Sequence, residues 1–396
     1  MRKYFAVLLL ALFAGTTTYA QASMKSVEAK LDKGGVYYAI GRPAHMFSNL
    51  VTQYEKMHKS ITAQMREMGN QEAAMMLTMA DMVIREIGIA SGFANIEVFG
   101  ESALESGEFN GETLYVRRSV AKIAKSEKPT LLSALATGGK YTVKDIEELP
   151  EDTVAAGVAT LPFNGIFEAS KRVSVVPMGL IAINELCQNA TGMSVAELVD
   201  ALTTTVLFAA LAPEDITITG SGTVVNVNPM MIRFTDKDNR IAGALTSALP
   251  FENGCFEPDA NVTLLLEEGF FYLYIGDSRA KFEAARSGSA PRLSASPAFA
   301  KLKTSKALPK TAAAISYINS SGLMIVAEDV GGSAALLPAG DGYNFIALGT
   351  VNFDGTMYTD ISVGTIRPMG FEYLTNGVAH LVAVFAEIIN NAPEGE

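Results

Sequence analysis

Methionine is the residue type in this sequence whose number and spacing could do chemistry. Eight of its 17 methionines fall between Met46 and Met82. Six of them recur at helical spacing: Met65, Met68, Met75, Met76, Met79 and Met82. Such thioethers could bind a soft ion such as Cu(I) together with His58, line an adaptable groove for an apolar ligand or peptide, or fill an irregular core against a sheet. We expect core packing first, take the groove as the candidate ligand-binding site, and predict no metal site.

Residues for nucleophilic catalysis do not form a recognisable set. A serine or thiol nucleophile needs a base, usually histidine, and the three histidines, His45, His58 and His380, stand in no motif. Ser278 lies in a Gly-Asp-Ser triplet and in a Ser-x-x-Lys pair with Lys281, but the later motifs of a lipase or of a penicillin-recognising enzyme are missing. We therefore predict no catalytic residue and no cofactor.

The acidic clusters also have simpler interpretations than chemistry. Glu267 and Glu268 are neighbours beside an apolar strand, where successive side chains point to opposite faces and cannot share a substrate. Asp236, Asp238 and Asn239 resemble the start of a calcium loop, but the glycine and the distal glutamate of that loop are missing. We expect a turn at the first pair and a hairpin tip at the second cluster.

The N-terminus predicts export. Arg2 and Lys3 precede the apolar run FAVLLLALFA, and small residues follow up to Ala22, as in a secretory signal peptide. We assign residues 1–22 to this signal, with cleavage after Ala20 or Ala22, and expect a periplasmic or extracellular protein. The later chain has no apolar run of the roughly 18 or more residues typical of a membrane-spanning helix.

The amino-acid composition limits the kinds of partner that the protein can bind. The formal net charge is −11, which disfavours nucleic acid and anionic lipid. Hydrophobic residues make up 49% of the chain and charged residues 18%, as expected for a well-buried globular protein. Cys187 and Cys255 could form one disulfide in an exported chain, or could be two small buried hydrophobic residues; the sequence leaves both open.

Three stretches follow the same order of strand, breaker and helix. They start at Leu31 (LDKGGVYYAIGRPAHMFSNLV), Leu149 (LPEDTVAAGVATLPFNGIFEA) and Leu308 (LPKTAAAISYINSSGLMIVA). Each is followed by helical patterns and then by alternating strands, including a hairpin turn at Asp354 and Gly355. Ser194 with Glu197 predicts a capping box, and residues 376–391 predict a terminal amphipathic helix.

These patterns predict an α+β fold with mainly antiparallel sheets, covered on one face by helices, in two or three divergent strand-helix-hairpin units. After the signal we place a first unit with the Met-rich helices at 23–148. A second unit follows at 149–307. A third, smaller unit at 308–396 is expected to pack on the second.

The sequence resembles a family of uncharacterised exported bacterial proteins known only as a domain of unknown function. The resemblance rests on the stretches at 149–170, 89–102 (IASGFANIEVFGES) and 270–320, and covers about half of the mature chain. It implies export and an α+β fold, and implies no catalytic residues. The Met-rich helices depart from that family.

These observations favour an exported, non-enzymatic protein that binds a hydrophobic small molecule or an envelope partner protein. Two alternatives come from other classes. One is a hydrolase whose site has no local motif, for example Ser278 with a distant carboxylate. The other is a structural or assembly protein of the cell envelope.

Overall fold

The computed structural model describes residues 21–43, 56, 58–92, 95–134, 139–217, 224–322 and 345–365. Within them the fold is mixed α+β, as expected, and is dominated by one antiparallel sheet of 12 strands. Its strands are β1 (Tyr37–Gly41), β2 (Ile96–Phe109), β3 (Glu112–Ile123), β4 (Thr153–Thr160), β5 (Thr205–Leu211), β8 (Met230–Thr235), β9 (Cys255–Asp259), β10 (Val262–Glu267), β11 (Phe270–Ile275), β12 (Ala314–Asn319), β13 (Ile346–Phe353) and β14 (Met357–Gly364). A separate pair is formed by β6 (Glu214–Thr217) and β7 (Val224–Val227).

The order of the strands brings distant parts of the chain together. It runs β1-β2-β3-β14-β13-β12-β4-β5-β8-β11-β10-β9. The hairpin β13–β14 therefore lies in the middle of the sheet, where β14 pairs with β3 and β12 pairs with β4. Each of the three predicted units contributes strands to this single sheet.

Helices connect the strands and flank them. They are α1 (Gln21–Glu28), α2 (58–67), α3 (Gln71–Ser91), α4 (Leu131–Ala134), α5 (Lys144–Glu147), α6 (Phe163–Ser170), α7 (Val175–Thr191), α8 (Val195–Leu202), α9 (Arg240–Ala248), α10 (Arg279–Ser287) and α11 (Pro297–Lys303). No helix of the described residues has both the length and the apolar character needed to cross a bilayer.

The predicted strand-breaker-helix order is confirmed in the second stretch. Here β4 ends at Thr160, and α6 begins just after Pro162. The first and third stretches contain β1 and β12 at the predicted places. The segments after β1 and β12 lie largely outside the described residues, as do the helix predicted at 376–391, His45 and His380.

One predicted hairpin tip is wrong. The segment with Asp236, Asp238 and Asn239 leads from β8 into α9 instead of into another strand. Asp236 is buried and accepts hydrogen bonds from the amides of Ile241 and Ala242, at 2.8 Å each. Its carboxylate therefore caps the N-terminus of α9, a role that aspartate commonly takes.

The main core lies on one face of the sheet, beneath α5, α10 and α11. Tyr317 and Leu348 of the sheet are fully buried there. They belong to the same cluster as Ile146 of α5 and Phe299 of α11, and the Phe299 ring meets the edge of Tyr317 at 5.3 Å between centroids. Smaller clusters hold α1 and α4 on the β2–β3 hairpin, through Val27 against Val120 and Leu132 against Ala121. Val120 and Ala121 are neighbours on a strand, so α1 and α4 lie on opposite faces.

Candidate functional site

Helices α2 and α3 form a tight helical hairpin that carries the methionines. Gly69, with φ 76°, makes the turn. The Asn70 side chain then accepts a hydrogen bond of 3.0 Å from the amide of Ala73 and so caps α3. A ring nitrogen of His58 lies 3.3 Å from the carbonyl oxygen of Leu77, so α2 is held against α3. Gly69 and Asn70 thus separate α2 from α3.

The methionines of this hairpin are on the surface. The exposed fraction is 68% for Met68, 59% for Met75, 55% for Met76, 53% for Met79 and 47% for Met82, whereas Met65 is half-buried. The expectation that they fill a core is therefore wrong for these five. The residues of α3 that the structure shows as buried are instead small: Ala74, Ala90 and Ser91.

The exposed residues of α3 follow a heptad seam. Met75, Met79, Met82 and Ile89 are separated by four, three and seven residues, and Glu86 occupies the intermediate position. Apolar residues at alternating steps of four and three lie on one side of a helix. We call Met75, Met79, Met82 and Ile89 the α3 stripe. Such a stripe is typical of a helix that packs along another helix, yet here it faces solvent.

Helix α7 presents a second exposed apolar surface. Ile181, Ile183 and Leu186 are 76%, 49% and 68% exposed. A shallow, open cavity of about 350 Å³ lies beside this helix. It is lined by Phe167, Lys171, Leu180, Ile181, Asn184, Val195 and Ala196. This surface was missed by the sequence analysis, although the uncharged run from Val175 to Ile183 could have indicated it.

A hydrogen bond links the two exposed helices. The amide of Ser174, at the start of α7, donates to Oε2 of Glu86 on α3 at 2.7 Å. An acidic residue at a helix N-terminus is favourable because unpaired amides and the helix dipole point toward it. Glu72 on α3 and Glu185 on α7 are exposed, and neither forms an ion pair within the described part of the chain. Two carboxylates without an ion pair therefore border the apolar surfaces, whereas Lys171 beside the α7 cavity is paired with Glu168.

The residues considered for catalysis have structural roles. Ser278 is fully buried, and its hydroxyl donates to the carbonyl oxygen of Met230 at 3.0 Å. Lys281 instead pairs with Glu214 at 3.0 Å. A buried hydroxyl whose hydrogen is given to the backbone is poorly placed to attack a substrate.

The cysteines and the possible metal ligands are considered next. Cys187 on α7 and Cys255 on β9 are both free and half-buried, so the two are not bridged here. In the described ranges, no group of three or more His, Cys, Asp or Glu side chains could hold a metal ion. Met68, in the turn after α2, is the most exposed of the predicted site residues, followed by the methionines of α3.

Comparison of the chain with protein-family models, with curated proteins and with solved structures gave no match. A function must therefore be inferred from the side chains themselves.

Proposed function

We propose that this is an exported, non-enzymatic protein that binds an amphipathic helix of a partner protein along the α3 stripe. The observation that carries the proposal is the heptad spacing of Met75, Met79, Met82 and Ile89 on an exposed helix face. An apolar stripe of this period fits the apolar stripe of a second helix. Methionine suits such a surface because its side chain adapts to different partner shapes.

The shape of the surface favours a helix over a small molecule. Small ligands are bound in concave pockets that bury most of their surface, whereas the cavity beside α7 is open and the α3 stripe lies on a convex helix. Helix α3 has 21 residues and so is roughly 30 Å long. That length can seat several helical turns of a partner.

Charge favours a different protein over a second copy or a membrane. The chain carries a formal net charge of −11, and the exposed Glu72 and Glu185 border the apolar surfaces. A second copy would bring like charges together, and an anionic lipid surface would be repelled. We therefore expect the partner helix to carry lysine or arginine beside its apolar positions, where these can face the carboxylates.

Site-specific photo-crosslinking tests the proposal in the native host. A photoreactive benzoyl-phenylalanine replaces Met79 on the stripe or, as the matched control, the adjacent exposed Ala80. Ala80 lies about 100° further around the helix, away from the stripe. We expect an adduct from position 79 only, to one partner, with the crosslinked peptide showing apolar residues at steps of three and four.

Direct binding then checks the same contact. For the purified chain and a peptide of the crosslinked helix, we expect Met79→Lys with Met82→Lys to weaken binding at least about tenfold, because two charges would be buried without partners. Ala80→Lys should leave binding within about twofold, since exposed changes away from an interface have small effects. Equal losses in both variants, or an adduct with lipid or with a second copy of this chain, would contradict the proposal.

A further inference from the structure

A mixed cluster of charged and hydroxyl side chains lies on strands β2, β3 and β14 of the sheet. Glu101 of β2, Ser119 of β3 and Asp360 of β14 are directly opposed across three neighbouring strands. Residues directly opposed in antiparallel strands point to the same face. Arg117, two residues from Ser119 on β3, shares that face, and its Nη2 donates to Oε1 of Glu101 at 2.6 Å. We call Glu101, Arg117, Ser119 and Asp360 the Asp360 cluster.

Two groups of the cluster have unused hydrogen-bonding capacity. The Nε–H of Arg117 is buried and has no hydrogen-bond acceptor among the described residues. Asp360 is half-buried, the described residues form no hydrogen bond or ion pair with its carboxylate, and its oxygens are not among the fully buried unpaired atoms, so the carboxylate is open to a ligand. Burial raises the pKa of Asp360, and Arg117 offsets this only in part. Buried polar groups in proteins are almost always paired, so the unpaired Nε–H of Arg117 next to an open carboxylate calls for an explanation.

The sheet surface beside the cluster, which we call its floor, is lined mainly by small residues. The adjoining row across the sheet is Gly157, Ser316, Gly349, Ser362 and Arg117, from β4 to β3. A Cβ at Gly349 would lie 3.0 Å from the Oγ of Ser316, so a side chain there would fill the floor. Ser316 is exposed, and its hydroxyl and that of Ser362 can bond a ligand. Tyr115, on the same face of β3, adds an aromatic ring at the edge.

We propose that this part of the sheet binds a neutral saccharide through the Asp360 cluster. A pair of vicinal hydroxyls fits both side chains, because one oxygen can accept from the guanidinium of Arg117, whose side chain is 27% exposed, while the other hydroxyl donates to Asp360. The serine hydroxyls can donate to or accept from further hydroxyls of the sugar. Tyr115 offers an apolar surface for the sugar's C–H groups.

The charge of the cluster selects a neutral ligand. Arg117 is already paired with Glu101, and Asp360 leaves the cluster with one net negative charge. An anion would be repelled by the two carboxylates, and an amine bound at Asp360 would face the guanidinium of Arg117. A hydroxyl-rich, uncharged molecule is repelled neither by the carboxylates nor by the guanidinium.

Saturation-transfer NMR on the full chain tests the proposal with methyl glycosides of glucose, galactose, mannose and N-acetylglucosamine as probes. We expect transfer to the protons beside vicinal hydroxyls of at least one probe. Asp360→Ala removes the acceptor and Gly349→Ala fills the floor without changing charge. Each should weaken binding at least about tenfold. Glu108→Ala removes an exposed carboxylate from the same hairpin and should leave binding unchanged.

A stability measurement separates binding from a structural role. Because the Asp360 carboxylate is partly buried with no donor from the described residues, Asp360→Ala should unfold at the same or a higher temperature near neutral pH while losing the sugar. The proposal is overturned if none of the four probes shows transfer, if the signal survives Asp360→Ala, or if that variant unfolds at a lower temperature. It is equally overturned if Glu108→Ala loses the signal too.

Discussion

At the scale of single residues, Glu267 shows how one ion pair ties a helix to the sheet. Arg286 of α10 donates to both carboxylate oxygens of Glu267, at 2.8 and 3.1 Å, and to the hydroxyl of Tyr272 at 3.1 Å. The Tyr272 ring is stacked on Tyr274, with 5.7 Å between centroids. The hydrogen bonds from Arg286 hold the pKa of Glu267 below its usual value, although burial acts in the opposite direction. Glu267 is therefore more than a turn residue.

We expect Arg286→Met to lower the free energy of unfolding by about 0.5–1 kcal/mol at neutral pH, because both partners of this bidentate pair are partly solvated. A carboxyl whose pKa is lowered by folding contributes stability above its unfolded pKa and loses it as pH falls through the folded value. The part of the difference that comes from Glu267 should thus be lost in acid, while the part that comes from the hydrogen bond to Tyr272 remains. Urea unfolding from neutral to acidic pH measures it, with the exposed Arg66→Met as control. A difference that does not change with pH would refute this interpretation.

At the scale of elements, the N-terminal cap of α8 could be predicted from the sequence, whereas that of α9 could not. Ser194 and Glu197 form the predicted capping box, in which the Ser194 hydroxyl accepts from the Glu197 amide and the Glu197 side chain accepts from the Ser194 amide. Helix α9 instead begins after two residues with positive φ, Asp238 at 60° and Asn239 at 55°. Its cap, Asp236, lies four residues before the helix starts, so the usual spacing does not reveal it.

We expect Asp236→Ala to cost about 2 kcal/mol of unfolding free energy, because two amides at the N-terminus of α9 lose their acceptor inside the protein. Asp236→Asn keeps one acceptor oxygen and should cost less. Ser194→Ala, at an exposed cap, should cost about 1 kcal/mol. Urea denaturation of the three variants checks this order. A loss at Asp236 no larger than that at Ser194 would show that the buried amides find other partners.

At the scale of the whole molecule, the sheet is continuous across all three predicted units. Strand β3 pairs with β14 along eight residue pairs, from Met357–Lys122 to Gly364–Tyr115. Strand β12 pairs on one side with β13 and on the other with β4. A cut between residues 148 and 149 would therefore leave β3 with an unpaired edge and expose the apolar residues beneath it. Unpaired edges of this kind promote association.

We expect residues 23–148 alone to aggregate or to lack a cooperative thermal transition, because the β2–β3 hairpin loses its neighbour β14. Co-expression with residues 149–396 should recover a soluble complex of both fragments, since the missing strand is then supplied in trans. Circular dichroism and gel filtration of the fragments, separately and together, measure this. Independent, cooperative folding of 23–148 would mean that the first unit is a domain in its own right.

Much of the local structure could be predicted from the sequence. The strand at 153–160, the helix after Pro162, the hairpin turn at Asp354 and Gly355 and the capping box at Ser194 all depend on residues close together in the chain. Periodicity, breakers and caps act over one or two turns, so their effect can be read without knowing what packs against them. The helical spacing of the methionines was evident for the same reason.

What packs against each element was decided only by tertiary structure. The same spacing of Met75, Met79 and Met82 is compatible with a buried or an exposed helix face, and only the position of α3 on the molecule shows that this face meets solvent. Likewise Glu101, Arg117 and Asp360 are up to 259 residues apart and become neighbours through the β2–β3–β14 pairing. Strand pairing and burial depend on contacts between distant segments, which local patterns do not encode.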